Sequence, residues 1–73
     1  MKVNFKDEVG KVIFSEENND VPGLIAILKE TRGVTVGIVK YEVTDYEFRY
    51  FMICPDNDRK MVSELDIILR EIR

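Results

Sequence analysis

Hydrophobic positions toward the C-terminus recur as Met61, Leu65, Ile68, Leu69 and Ile72. This i, i+4, i+7, i+8, i+11 spacing gathers side chains onto one stripe of an α-helix. It predicts a helix over residues 58–72, N-capped by Asp56 or Asn57. Lys60 with Glu64 and Asp66 with Arg70 would then stand one helical turn apart on the solvated side. Ile67 falls about 140° from the centre of the stripe and is expected to be exposed.

Upstream, residues 34–43 and 47–54 are rich in β-branched and aromatic side chains around a polar Thr44-Asp45-Tyr46 cluster, which predicts a hairpin turning there. In the second strand Phe48, Tyr50 and Met52 alternate with Arg49, Phe51 and Ile53. Both faces become apolar toward its end, the pattern of a strand covered on both sides, and Pro55 and Asp56 stop it.

The first 33 residues admit two readings. In the favoured one, residues 2–5 and 11–14 form a hairpin around residues 6–10. A helix follows, with Asp20 ahead of Pro22, with Leu24, Ile25 and Leu28 on one face, with Lys29 and Arg32 near its end, and with Gly33 as the left-handed cap. The element order is then ββαββα, an α+β ferredoxin-like sandwich: an antiparallel sheet with two helices on one face. In the alternative, Asn4 and Asp7 act as a capping pair, Phe5, Val9, Val12 and Ile13 form a helical stripe, and residues 24–28 become a buried strand. That αβββα order places Gly10 inside a helix, at about 1 kcal/mol against alanine, and Phe14 on its polar side.

Composition narrows the function. With 45% hydrophobic and 34% charged side chains, the 73 residues read as one small globular domain over residues 1–73. Its core is thin, which favours self-association. The net charge of -3, with basic residues scattered, argues against nucleic acid. No apolar run approaches the roughly 20 residues that span a bilayer, and the polar N-terminus does not read as a signal peptide, so the expected compartment is the cytoplasm. Cys54, the single cysteine, follows Met52 and Ile53 and is expected in the core. The chain has no histidine, which removes the usual base for a Cys or Ser nucleophile; no enzyme and no cofactor are expected. Asp56-Asn57-Asp58 opens like a calcium loop, but Met61 and Ile67 stand where the loop needs glycine and glutamate, so no metal site is assigned. Tyr46, Phe48, Tyr50 and Phe51 lack the small residues of an RNA-binding platform and are read as sheet packing.

At Asp20-Val21-Pro22-Gly23-Leu24, closing a strand and opening a helix that ends before Gly33-Val34-Thr35-Val36, the chain resembles the ACT domain, a ferredoxin-like module. The likeness covers residues 11–72. It implies a regulatory domain that pairs through its sheets or helices and binds an amino acid beside this loop, with Asn19, Asp20, Pro22 and Gly23 as ligand-binding residues. A glycine at a helix start lets a ligand approach closely, and free N–H groups there favour a carboxylate. The expectation is a non-enzymatic ligand-sensing homodimer with Ile67 or an edge strand in its contact. The alternative is a protein-interaction or assembly domain with no small ligand.

Overall fold

The computed structural model describes residues 1–72. Strands β1 (Lys2–Lys6) and β2 (Val12–Glu17) precede helix α1 (Val21–Thr31). Strands β3 (Gly33–Val36) and β4 (Val39–Ile53), a short 3-10 turn at Pro55–Asn57, and strand β5 (Lys60–Glu71) follow. One five-stranded sheet forms in the order β2-β1-β5-β4-β3. Its central pair, β1 and β5, is parallel, and every other pairing is antiparallel.

The two-helix ferredoxin-like sandwich is therefore overturned, and the αβββα order fails as well. β1, β2 and α1 stand where the favoured reading puts them, but residues 60–71 form β5 rather than a helix. Along an extended chain side chains alternate between faces, so Leu65, Ile67 and Leu69 point one way and Glu64, Asp66 and Arg70 the other. The first three are buried, Ile67 completely, while Met61 and Ile72 of the supposed helical stripe are exposed. Two partners decide the matter: β1 on one side and the β-branched and aromatic β4 on the other. The exposed Ile67 at a subunit contact is thus corrected to a core residue. The expected pairs of Lys60 with Glu64 and Asp66 with Arg70 give way to pairs of Asp66 with Lys6 and Arg49 and of Arg70 with Glu42.

The hairpin turn is also displaced. Val36 faces Val39 across a two-residue loop, Gly37-Ile38, where Gly37 takes a φ of 63°. Glycine at the first loop position is what a type II′ hairpin turn requires. Thr44-Asp45-Tyr46 holds no turn; it carries a β-bulge, because Val43 faces Leu69 while Asp45 already faces Ile68. β4 runs on through it for 15 residues.

Helix α1 starts at Asp20, whose side chain accepts the Gly23 N–H at 3.2 Å, and Pro22 occupies the first turn. It ends at Arg32, not Gly33: Arg32 is left-handed (φ 58°) and its N–H closes onto the Leu28 carbonyl at 2.7 Å. The helix lies on one face of the sheet and buries Leu28 against Val3, Phe5, Leu65, Ile67 and Leu69, with Val21, Leu24 and Ile25 packed around them. Phe5 and Phe14 stack across β1 and β2 at 4.3 Å between centroids. Cys54, expected in the core, is exposed at the end of β4. Among the described residues, no helix is long and apolar enough to cross a membrane.

Candidate protein-interaction surface

A sheet that does not close has two edges, and here they differ. On the β2 side, Met1 and Asn18 exchange both backbone hydrogen bonds, which sets the alternation: Ser15 and Glu17 turn their backbone groups outward. That edge is short, and it bears Glu16 and Glu17, charges of the kind that discourage another strand from adding.

The other edge is longer and apolar. β3 covers only residues 39–42 of β4, and Val43 donates to the Arg32 carbonyl at 3.0 Å. Beyond that point β4 has no outer partner among the described residues. Ile72 donates to the Lys40 carbonyl, so the even-numbered residues of β5 are the ones that bond to β4. Their partners Asp45, Glu47, Arg49, Phe51 and Ile53 have their backbone groups committed inward. Tyr46, Phe48, Tyr50 and Met52 consequently present unpaired N–H and C=O groups to the outside.

The same residues carry side chains on the helix-bearing face, because Tyr46 faces Ile67 and Phe48 faces Leu65. Past Phe48 the helix no longer covers that face. β4 and the start of β5 continue as a two-stranded arm, and the molecule is 47 Å long but only 25 × 19 Å across. Tyr50 is 69% exposed, with Phe48, Met52 and Met61 about half exposed beside it. Phe48 and Tyr50 are in tilted contact at 4.9 Å. The expectation of a central strand covered on both faces is corrected: the helix-bearing face of this part of β4 is exposed, and on the other face Phe51 is only half-buried.

A polar cluster on the opposite face anchors the arm to the sheet. Asp66 is 1% exposed. It accepts from Lys6 Nζ at 2.7 Å, from Asn4 Nδ2 at 2.9 Å and from an Arg49 terminal nitrogen at 3.2 Å. Arg49 Nε lies 2.7 Å from the other Asp66 oxygen as an ion-pair contact without hydrogen-bond alignment. Glu64 accepts from Asn4 at 2.6 Å and from Arg49 at 3.3 Å, and Ser15 donates to Asn4 at 2.6 Å. Burial pushes the Asp66 carboxyl's pKa up, but the hydrogen bonds from Lys6, Asn4 and Arg49 and the charge of Arg49 outweigh it. The net result lies below the usual carboxylate value. Four strands are tied at this point, and Arg49 reaches back from the arm, its guanidinium 5.7 Å from the Phe51 ring.

The loop singled out in the sequence stands elsewhere, at the start of α1. Asp20 caps the helix there, and its N–H is held by the Asn18 side chain at 2.7 Å. A Cβ on Gly23 would collide with the Asp20 carboxylate, so the glycine has an internal reason. Pro22 fills the first turn and Asn19 precedes the cap. A hollow of about 680 Å³ lies between the β1–β2 turn and the ends of β4 and β5, lined by residues that include Val9, Ile13, Tyr41 and Leu69 and none of these four. No group of three or more acidic, Cys or His side chains capable of holding a metal occurs among the described residues. The aromatic edge was the residue set that sequence reasoning misassigned; its signal was the run of apolar side chains on both faces of residues 48–53.

The family model of the DIX domain matches residues 9–68. No curated protein and no solved structure matches the chain. The match overturns the resemblance to ACT domains, and the ligand-binding reading drawn from it falls as well.

Proposed function

Because the chain belongs to the DIX-domain family, ubiquitin-like β-grasp modules of protein interaction and self-association rather than catalysis, we propose that it assembles with copies of itself through a sheet edge. This is the interaction-domain alternative, in place of ligand sensing. The observation that carries it is the unpaired outer side of β4 over residues 44–53, flanked by exposed Phe48, Tyr50 and Met52. A long apolar edge is a ready template for another strand, and main-chain hydrogen bonds formed there supply affinity while the side chains on either face supply selectivity. A two-stranded ribbon is also marginal by itself, so an added strand stabilises the arm as it binds. Sedimentation velocity from micromolar to submillimolar protein tests the proposal. The sedimentation coefficient should rise with concentration; a chain that stays monomeric over the whole range overturns it.

A further inference from the structure

We propose that the chain binds a phosphate dianion, free or as the monoester of a small molecule, through Lys29 and Arg32 in a hollow at the C-terminal end of α1. The site stands apart from the self-association proposed above and needs no second copy.

The hollow, about 380 Å³, is lined by Leu28, Lys29, Arg32, Val43, Thr44 and Tyr46. It lies where the last turn of the helix meets the bulge of β4. Lys29 belongs to that turn, and Arg32 closes it in the left-handed conformation. Both side chains are exposed, and neither enters an ion pair among the described residues. The lining contains no carboxylate, although the chain has 14 acidic residues against 11 basic ones. The nearest acids in sequence are Glu30, outside the lining, and Asp45, whose carboxylate accepts the Tyr46 N–H at 2.8 Å. The larger hollow beside the β1–β2 turn is the opposite case. It sets the carboxylates of Asp7, Glu8 and Glu71 against Lys11 and Arg70, so its sign does not favour an anion.

A helix C-terminus favours cations by itself, which accounts for the sign of Lys29 and Arg32. It asks for neither a hollow nor the exclusion of carboxylates from its lining. The same helix end repels an anion through free carbonyls, but three of those nearby are engaged. Ile27 accepts from the Thr31 hydroxyl at 3.0 Å, Leu28 from the Arg32 N–H at 2.7 Å, and Arg32 from the Val43 N–H at 3.0 Å. Charge then selects the ligand. Two cations balance a dianion, whereas a single carboxylate leaves one of them unmatched. A guanidinium fork takes two phosphoryl oxygens at once, and an ammonium adds a compact charge beside it. Leu28 and Val43 give the hollow an apolar floor, and its volume falls in the range of about 300–1,000 Å³ that takes small molecules.

Backbone amide NMR of the whole chain tests the site, at a dilution that suppresses association. Inorganic phosphate, titrated against sodium chloride of equal ionic strength, should give saturable shifts at the amides of residues 28–32 and 43–46 that chloride does not reproduce. Lys29→Gln and Arg32→Gly should each weaken this binding by about tenfold, the loss of one charge-assisted contact. Glycine suits the left-handed position of Arg32, so the second variant keeps the helix cap. Lys11→Gln, in the other hollow, should leave the affinity unchanged. Phenyl phosphate is titrated in parallel. Tighter binding than phosphate identifies a small-molecule ester as the ligand, and equal binding identifies free phosphate. Shifts that chloride reproduces, or that survive both Lys29→Gln and Arg32→Gly, overturn the site. So do shifts that follow protein concentration rather than phosphate, which assign the two cations to a second copy and leave self-association standing. If Arg32→Gly unfolds by circular dichroism, Lys29→Gln decides alone.

Discussion

β4 and β5 pass through two regions of one sheet with the same alternation and opposite outcomes. In the body, Val43, Tyr46, Leu65, Ile67 and Leu69 point toward α1 and are wholly or partly buried. In the arm, Phe48, Tyr50, Met52 and Met61 point the same way and stay exposed, with no helix over them. The difference is one of length. The 11 residues of α1 extend about 16 Å, while the 15 residues of β4 extend about 50 Å. One helix covers roughly a third of such a strand. Alternation therefore states which side chains share a face, and the lengths of neighbouring elements state whether that face is covered.

Substitutions on the two sides of this boundary should separate sharply. Ile67→Ala, at a fully buried position, should lower stability by about 2–5 kcal/mol in urea denaturation, because the cavity it leaves is enclosed by β1, β4 and α1. Asp66→Asn should cost less, about 2–3 kcal/mol, since it leaves Lys6 and Arg49 without their shared anion but both partners keep some access to water. The same carboxylate gives a smaller, pH-dependent effect. Its folded pKa lies below the unfolded value of about 3.9, so the unfolded chain binds more protons between the two, and the stabilisation is complete above about pH 4 and is lost as pH falls further. Thermal melts of wild type should show that extra loss in acid, and Asp66→Asn should lack it. Smallest of all, Met52→Ser in the arm should change monomer stability by less than about 0.5 kcal/mol when measured at a dilution that suppresses association. A loss there as large as that of Ile67→Ala would mean that the arm is covered within the monomer and would erase the contrast.

What could be read from the residues follows the range of the forces involved. α1 was legible because its signals are local: Asp20, Pro22 and the apolar face of Leu24, Ile25 and Leu28 act within a few positions. β5 was not, because Met61, Leu65, Ile68, Leu69 and Ile72 satisfy a helical spacing while Ile68 interrupts the alternation of Leu65, Ile67 and Leu69. The strand is chosen by β1, and the side chains that meet across that pair lie 62 positions apart. The Gly37-Ile38 turn had its signal in the glycine, which the more polar Thr44-Asp45-Tyr46 cluster outweighed. The candidate surface was half legible. Apolar residues on both faces of residues 48–53 marked an unusual strand, but the same composition suits full burial and full exposure, and only the position of α1 distinguishes them.

The parallel pairing of β1 with β5 also fixes an order in time. During synthesis Val3 and Phe5 are made first and the strand that shelters them, carrying Leu65 and Ile67, is made last. Until then the chain can form the β1–β2 hairpin and α1, yet the middle of the sheet is missing and its apolar groups stay open to water. Contacts between such distant segments require closure of nearly the whole chain, which slows folding relative to a domain built from neighbours. The central strand of the finished sheet is thus the last to arrive, and a nascent chain cut short of it holds most of the residues of the domain but lacks Leu65, Ile67 and Leu69, half of its buried core.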